Sequence, residues 1–372
     1  MHQKPVVCET HACKPVFKHR QQYCKLPPLM RFKLLGPSAL RVSELCLGTM
    51  TFGTDWGTGA DEATSAQIYA RYRAAGGNFL DTAVNYTNGT SERILGKLIA
   101  TERHEVVVAT KYTLAIRPGD PNAAGNHRKN LHQSVEQSLR ALGTDYIDLL
   151  WVHAWDFTVP PAELMRNLNA LVQSGKVLHI AASDTPAWVI AQCNTLAQHH
   201  GWAPFTAVQL EYSLIERTAE RELLPMAQAF GLPVTPWSPL GAGMLSGKYQ
   251  RDQTPGQGVR LSSVSQKLNT PRNWDIVDAV RHWAQQLGAT PAAVALAWLR
   301  SRGPAILPIL GARSVAQLDD NLGALALSLP PEALTDLDAK SAIDLGFPTE
   351  FLAREPVRNL VYAGRFADID FQ

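Results

Sequence analysis

Residues 106–111 read VVVATK, an apolar run typical of a buried strand that ends in the charged side chain of Lys111. Two more short apolar runs also end in a polar side chain, and they are residues 78–81 (NFLD) and residues 147–153 (IDLLWVH). In parallel-sheet proteins the carboxyl ends of the strands are where ligands bind, so side chains at these ends can meet in one pocket. The four polar residues predicted to form an acid/base site there are Asp81, Tyr86, Lys111 and His153.

Outward from these runs, the chain alternates between strand-like and helix-like segments. The predicted strands are 45–48, 78–81, 105–111, 147–153, 177–182, 206–210, 232–236 and 305–310, preceded by an extended pair at 31–35 and 41–45. The predicted helices are 61–75, 90–100, 128–142, 161–174, 186–199, 218–230, 274–287 and 314–325. Their apolar residues recur with helical period, as at Leu131, Val135 and Leu139. Strands that each precede a helix predict an α/β fold, a (β/α)8 TIM barrel rather than an open doubly wound sheet.

Several helix starts carry their own signal. The pairs at 185–186 and 290–291 are Thr-Pro, which places a capping residue before a proline at the first helical position. Ser314 and Gln317 have the spacing of a capping box. We therefore expect helices to begin at all three places.

Three segments lack the strand–helix pattern. Residues 1–29 contain no apolar h-region of a secretory signal, and we predict a disordered extension ahead of a single barrel domain over residues 30–372. A metal site in this extension is the alternative, but its Cys and His residues lack the paired C-x-x-C spacing of structural zinc. Residues 240–273, after the seventh strand, are predicted to be a functional loop or lid. A last helix near 331–341 and a tail follow the barrel.

Composition narrows the class of protein. A chain of 372 residues with 45% hydrophobic content can bury a large core. Its formal charge of +2 lacks the strongly basic balance that a nucleic-acid partner favours. No apolar run approaches the roughly 20 residues that span a bilayer. Five cysteines, an odd number, argue against a disulfide scaffold and predict a reducing cytoplasm.

Six motifs in order resemble those of the aldo-keto reductase family, and in particular its bacterial branch. They are residues 47–50 (LGTM), 81–86 (DTAVNY), 109–112 (ATKY), 148–153 (DLLWVH), 237–240 (WSPL) and 308–313 (PILGAR). The resemblance covers nearly the whole chain from residue 31 to residue 325. It implies the same (β/α)8 barrel and an NADPH-dependent reduction of an aldehyde or ketone, sugar-like or aromatic, to an alcohol.

The four polar residues can perform the acid chemistry of such a reduction. A tyrosine hydroxyl is a poor acid because its ordinary pKa is about 10. A neighbouring ammonium favours phenolate, so we expect Lys111 to lower the pKa of Tyr86. Asp81 would keep that lysine charged and in place, and His153 would orient the carbonyl oxygen. Each residue alone could instead be structural, as a buried ion pair or a satisfied core histidine.

The cofactor site is not a Rossmann site, since no G-x-G-x-x-G follows a strand. Instead, Arg313 precedes the capping box at Ser314, where a helix N-terminus and a guanidinium favour phosphate. By resemblance Arg313 would hold the 2′-phosphate, which implies NADPH. The other residues that the resemblance assigns to the cofactor are Thr49, Asp81, Ser183, Asp184, Gln209, Trp237, Ser238, Pro239, Leu240, Gly243, Lys248, Gly311, Gln317 and Asn321.

The resemblance also assigns roles within that set. Trp237 would stack on the nicotinamide, while Ser183 and Gln209 would hydrogen-bond its carboxamide. The chain departs from the family at Asp184, where the family often has Asn. An amide both donates and accepts, whereas a carboxylate only accepts, so Asp184 could still accept from the carboxamide. The alternative is that Asp184 caps the helix that starts at Pro186.

The substrate and the class of function stay most open. Trp56 and Trp155 follow strand ends and could stack on a sugar or aromatic ring, or else fill loop cores. No metal site and no partner other than a small carbonyl or alcohol substrate is predicted. One rival is a cofactor-sensing regulatory module, because potassium-channel β subunits resemble this family. The other is a TIM-barrel hydrolase or isomerase, against which the missing G-x-S-x-G motif counts.

Overall fold

The computed structural model describes residues 30–249, 251, 269–303 and 305–370. Its strands are β1 (Phe32–Leu34), β2 (Arg41–Ser43), β3 (Cys46–Gly48), β4 (Phe79–Asp81), β5 (Val107–Tyr112), β6 (Ile147–Val152), β7 (Val177–Ser183), β8 (Phe205–Glu211), β9 (Val234–Trp237) and β10 (Ile309–Gly311). β1 and β2 form an antiparallel pair ahead of the barrel. The other eight strands are parallel neighbours in the order β10-β3-β4-β5-β6-β7-β8-β9.

The eight parallel strands form a nearly closed barrel. Between its two end strands, the backbone N–H of Val234 donates to the carbonyl of Ala305, and the N–H of Leu307 donates to the carbonyl of Val234, both at 2.8 Å. Every residue of β5 and of β6 is buried, as expected for parallel strands covered on both faces. The predicted (β/α)8 barrel is therefore confirmed.

Helices cover the outside of this barrel. They are α1 (Glu62–Ala74), α2 (Thr90–Ile99), α3 (Arg128–Leu142), α4 (Pro161–Gln173), α5 (Ala187–His200), α6 (Leu223–Ala229), α7 (Pro271–Leu287), α8 (Pro291–Ser301), α9 (Val315–Leu322), α10 (Pro331–Ser341), α11 (Thr349–Ala353) and α12 (Glu355–Val361). The apolar face of α3 is buried through Leu131, Val135 and Leu142, and the helix ends at Gly143, whose φ of 63° suits glycine.

The helix-start signals had mixed outcomes. The Thr290 side chain accepts from the Ala293 N–H at 3.2 Å and caps α8, a helix that the period of the sequence did not reveal. Ser314 caps α9 as predicted. Thr185 does not cap α5, because its hydroxyl donates to the Ser183 carbonyl at 2.8 Å. The first turn of α5 has no side-chain cap.

Two predicted segments lie wholly or partly outside the described residues. The predicted N-terminal extension, residues 1–29, and its alternative metal site lie wholly outside them. Residues 250 and 252–268 of the predicted lid also lie outside them. The tail forms the short helices α11 and α12, which bury no residue. That residues 30–372 form one domain stays a prediction.

The contact between α2 and α3 depends on Gly96. A Cβ at this position would lie 2.6 Å from the Ala141 carbonyl oxygen and 2.8 Å from the Leu142 Cα. Both neighbours are backbone, so the helices would have to move apart.

We therefore expect Gly96→Ala to lower the free energy of unfolding by about 1–3 kcal/mol, although alanine favours helices. The matched control is Gly323→Ala, where the added Cβ would meet only the Ala293 Cβ at 3.5 Å. Urea denaturation of the two variants measures the difference. Equal stability of both would contradict the close approach of α2 and α3.

Candidate active site

A cavity of about 690 Å³ opens at the carboxyl ends of the barrel strands. Three of the four predicted acid/base residues line it: Asp81 at the end of β4, Tyr86 beyond it, and His153 directly after β6. Lys111, the penultimate residue of β5, is fully buried beneath them. The strand ends thus bring the four residues together as the sequence predicted.

The Lys111 ammonium is the centre of this group. It forms an ion pair with Asp81, and it also donates to the Thr82 carbonyl at 2.8 Å and to the Tyr86 hydroxyl at 3.1 Å. The three N–H donors of the ammonium therefore have three acceptors. Burial acts to lower the pKa of Lys111, but the charges and hydrogen bonds of Asp81 and Tyr86 outweigh it and raise that pKa. Lys111 is charged at neutral pH.

Two residues predicted at the cofactor instead support Asp81. The Gln209 amide donates to the second carboxylate oxygen of Asp81 at 3.0 Å, and Gln209 also lines the cavity. The Thr49 hydroxyl donates to the Asp81 backbone carbonyl at 3.1 Å, and Thr49 is fully buried and is not among the lining residues. Asp81 is thus held at its carboxylate and at its backbone.

Burial is the largest influence on the pKa values of Tyr86 and His153. It raises the pKa of Tyr86, and the charge of Lys111 lowers that pKa only in part. Lys111 thus acts on the pKa of Tyr86 in the predicted direction, but burial outweighs it, and the pKa of Tyr86 lies above the ordinary value of a tyrosine. Burial, followed by the Lys111 charge, lowers the pKa of His153 to about 2. At neutral pH, Tyr86 is a phenol and His153 a neutral imidazole.

His153 and Tyr86 are in contact, with ring centroids 5.8 Å apart. The buried Nδ1 of His153 has no hydrogen-bond partner among the described residues. A neutral imidazole has one N–H donor. His153 can therefore donate a hydrogen bond to an oxygen placed beside the Tyr86 hydroxyl.

The turn after Tyr86 adopts a strained backbone. Thr87 and Asn88 have φ of 43° and 54°, values that non-glycine residues, and β-branched ones above all, rarely adopt. The turn is held from the preceding loop, since the Thr87 hydroxyl donates to the Phe52 carbonyl at 2.7 Å. These contacts fix the start of α2 and with it the position of Tyr86.

The opposite end of the cavity has the features of a phosphate site. Arg313 lies just before α9 and forms no salt bridge within the part of the chain that the structure describes. The Ser314 hydroxyl accepts from the Gln317 N–H at 3.3 Å, and the Gln317 side chain accepts from the Arg313 N–H at 2.9 Å. Asn321 donates to the Gly311 carbonyl at 3.2 Å. These bonds hold the backbone of Arg313 and the helix N-terminus at the rim of the cavity.

The residues after β9 form the wall between these two ends. Ser238 and Ala242 have left-handed backbones, with φ of 52° and 53°, and Gly243 follows at 92°. The turn is closed by the Ser238 hydroxyl, which accepts from the Ala242 N–H at 3.0 Å. The predicted cofactor residues that line this wall and the adjoining strand ends are Ser183, Asp184, Trp237, Ser238, Pro239, Leu240, Gly243 and Lys248.

Asp184 has a role that the sequence did not reveal. Its Oδ1 accepts from the Trp237 indole N–H at 2.9 Å, which fixes the ring that lines the cavity. It does not cap α5, contrary to the alternative interpretation. Burial raises the pKa of the Asp184 carboxyl, and the Trp237 hydrogen bond offsets part of that rise.

The two tryptophans assigned to the substrate lie in different cavities. Trp56 lines the large cavity and packs edge-on against Tyr86, with ring centroids 6.4 Å apart. Trp155 is buried and lines an adjacent, smaller cavity instead. Of the two tryptophans, only Trp56 lines the cavity that contains Tyr86.

The sequence missed several residues that line the large cavity. They are Gly48, Met50, Thr51, Asn85, Leu114, Ala242, Ser246, Ala292, Leu296, Ile309, Leu310, Ala312 and Asp320. Met50 and Thr51 follow a strand end and could have been found by that signal. Ala292 and Leu296 belong to α8, a helix whose start was predicted at Thr290-Pro291 but whose extent was not. Asp320, on α9, adds a carboxylate to the lining of the cavity, which no motif indicated.

Neither a metal centre nor a membrane-spanning helix is found among the described residues. No group of three His, Cys, Asp or Glu side chains there could hold a metal ion. No helix in this part of the chain is long and apolar enough to cross a membrane.

Comparison with known proteins matches this architecture to a family. The family model of the aldo/keto reductase family matches residues 44–342, which include every residue of the acid/base group. The chain belongs to the aldo/keto reductase family. It is thus an oxidoreductase that reduces a carbonyl to an alcohol and uses a nicotinamide cofactor.

Its relatives are reductases and dehydrogenases of fungi. Norsolorinic acid reductase A of Aspergillus parasiticus is 38% identical over 345 residues, which cover 90% of this chain and 87% of the relative. An aryl-alcohol dehydrogenase of Pestalotiopsis microspora is 38% identical over 87% of this chain and 85% of its own. A putative aryl-alcohol dehydrogenase of Saccharomyces cerevisiae is 35% identical over 89% of this chain and 92% of its own. These relatives support the family, but not the bacterial branch.

The aldo/keto reductase fold of this chain also buries a glutamate behind the acid/base group. Glu92 on α2 has no exposed surface and accepts from the Thr110 hydroxyl at 2.6 Å. Thr110 precedes Lys111 on β5, so this hydrogen bond joins the helix after Tyr86 to the strand that carries the lysine. Burial raises the pKa of Glu92 to about 7 although the Thr110 hydrogen bond lowers it in part.

This raised pKa predicts a pH-dependent stability. A carboxyl whose pKa is higher in the folded state than in the unfolded chain stabilises the fold below its ordinary pKa, and the contribution is lost as pH rises through about 7. Relative to Glu92→Gln, the wild type should therefore lose up to about 3 kcal/mol of unfolding free energy between about pH 5 and about pH 8. Urea denaturation across this range measures it. Glu332→Gln, an exposed substitution on α10, is the control, and a parallel pH profile for Glu92→Gln and wild type would disprove the assignment.

Proposed function

We propose that this protein is an NADPH-dependent reductase of aryl aldehydes or aryl ketones, with Tyr86 as the acid. The observation that carries the proposal is the hydrogen bond of 3.1 Å from the buried Lys111 ammonium to the Tyr86 hydroxyl at the floor of the large cavity. The neutral phenol is the form that can donate a proton, and Lys111 stabilises the phenolate that remains.

In the proposed reaction, the carbonyl carbon would receive the hydride that a bound nicotinamide cofactor can supply. Tyr86 gives its proton to the carbonyl oxygen, which becomes the hydroxyl of the alcohol. His153, neutral because of its burial, donates its N–H to the same oxygen and holds it beside Tyr86. Asp81 keeps the ammonium of Lys111 in place through the ion pair. Solvent then returns the proton to Tyr86.

We propose NADPH rather than NADH because of Arg313. Its guanidinium lies at the N-terminus of α9, where the helix dipole and a planar pair of donors both favour a phosphate. Asp320 also lines the cavity, and its negative charge would repel a phosphate. Arg313 would therefore be needed to neutralise the 2′-phosphate. Gln317 and Asn321 would border the adenine, and Trp237 the nicotinamide.

Aromatic substrates are proposed from the rings around Tyr86. Trp56 is 45% exposed and stands at the rim of the cavity, where it offers a flat apolar surface to an incoming ring. Two of the relatives carry the name aryl-alcohol dehydrogenase. Sugar-like carbonyls are the second candidate, since a sugar ring can also stack on an indole.

The cellular setting is also part of the proposal. We propose a cytoplasmic enzyme without nucleic-acid or membrane partners. Cys46 and Cys193 are free and buried thiols, as is usual in a reducing compartment. The rival interpretation as a regulatory module predicts cofactor binding without appreciable turnover, so a substrate screen that follows NADPH absorbance distinguishes the two.

The role of Tyr86 is tested by Tyr86→Phe. Loss of the transferable proton should reduce kcat for an aryl aldehyde by about 10²–10⁴-fold. NADPH affinity should stay unchanged, because the ring remains. Tyr146→Phe is the matched control, since Tyr146 packs on Arg103 away from the cavity. Near-normal kcat in Tyr86→Phe would remove the proposed acid.

Cofactor choice is tested by Arg313→Ala. Loss of a charge-assisted pair to the 2′-phosphate should weaken NADPH by about 10- to 100-fold and NADH much less. Arg71→Ala is the control, because Arg71 pairs with Asp319 on α9 outside the cavity. A fluorescence titration with both cofactors gives the ratio. An equal loss for NADH and NADPH would mean that Arg313 does not select the phosphate.

A further inference from the structure

A second cavity, of about 440 Å³, adjoins the candidate active site. It lies among the loops and strand ends from β6 to β9, and it shares the side chains of Asp184, Gln209 and Trp237 with the large cavity. Its remaining wall includes Trp155 and Phe157 from the loop after β6. The described residues that line this cavity do not include Tyr86, and from the proposed cofactor groove they include only the three shared side chains.

The second cavity is strongly acidic. Three carboxylates line it, those of Asp184, Glu211 and Glu216, and the described lining residues include no Lys, Arg or His. None of the three carboxylates forms a salt bridge within the described part of the chain. Burial, and next the charges of Glu216 and Asp184, raise the pKa of Glu211, so the carboxylates repel one another across the cavity. A cation would relieve this repulsion, and an anion would add to it.

Aromatic rings form much of the remaining surface. The rings of Trp155 and Phe157 pack edge to face with centroids 6.3 Å apart, and Trp237 lines the cavity as well. Phe157 is 74% exposed, so most of its ring surface is open to a ligand or to solvent. Aromatic faces attract cations and also bind apolar groups.

These features select one class of ligand. A metal ion needs several oxygen ligands close together, and no group of carboxylates in the described residues is arranged to hold one. An ammonium group can instead sit between carboxylates at longer range while its carbon body covers the rings. We infer that the second cavity binds a small organic cation, an ammonium group carried on an aromatic or aliphatic body.

A hydrogen bond between Asp184 and Trp237 lies on the border between the second cavity and the proposed active site. The Asp184 carboxylate that faces the second cavity also accepts from the Trp237 indole, and Asp184 itself has a left-handed backbone with φ of 41°. The inference does not depend on the proposed reduction, because binding of the cation needs neither the cofactor nor turnover.

Calorimetric titration of the full chain, without cofactor, tests the ligand class. The probes are benzyltrimethylammonium, benzyl alcohol and benzoate, which present the same ring with a positive, a neutral and a negative group. The cation should bind about tenfold more tightly than the alcohol, with an affinity that falls as salt is added. Benzoate should bind least. Equal affinity for cation and alcohol would overturn the inference.

Variants locate the bound cation. Glu211→Gln and Glu216→Gln should each raise its dissociation constant by about two- to fivefold, and the amides keep the size of the side chains. Glu222→Gln is the matched control, because Glu222 is exposed and does not line the cavity. Trp56→Ala should leave binding unchanged. If Trp56→Ala weakens binding while both lining variants do not, the cation occupies the large cavity and the inference is wrong.

Discussion

A buried ammonium is the constraint on which the rest of this site depends. An unpaired charge in a barrel core would cost several kcal/mol, so Lys111 can be tolerated only where acceptors surround it. Asp81, the Thr82 carbonyl and the Tyr86 hydroxyl meet that need, and they come from β4 and the segment after it. The parallel register that places Asp81 opposite Ala109 brings β4 and β5 into the alignment that the ion pair requires. The contacts that stabilise the buried charge of Lys111 are therefore the same contacts that assemble the site.

The same burial explains why the groups next to Lys111 are neutral. Burial of Tyr86 and His153 raises the pKa of the phenol and lowers the pKa of the imidazole. A single positive charge, offset by Asp81, then lies beside two neutral donors. Negative charge that develops on a carbonyl oxygen would be stabilised by donors that are already in position, so little reorganisation would be needed. The tyrosine need not be a strong acid before the substrate arrives.

The sequence predicted the site residues whose position depends on the ends of strands. It missed the positions that depend on how a loop folds. Polar residues that close apolar runs were found because their position follows from the strands themselves. Trp155 also follows a strand, but the loop turns its ring into the second cavity, which no local pattern specifies. Thr49 is adjacent to a strand end and yet faces inward, toward Asp81 and Ser91. The start of α8 was predicted from Thr290-Pro291, but its extent was missed because its buried residues surround it on nearly all sides, which removes the helical period.

Asp184 lines both cavities, and an aspartate at this position suits both of them. One oxygen of Asp184 accepts from the Trp237 indole. An asparagine could accept the same hydrogen bond, but its amide nitrogen would then present a donor to the neighbouring space. A carboxylate presents a second acceptor and a negative charge instead. A group that meets Asp184 from either cavity must therefore be a donor or a cation, as the proposed carboxamide NH2 on the cofactor side and the inferred ammonium on the other would be. The departure from the family pattern thus fits an acidic wall shared by two sites.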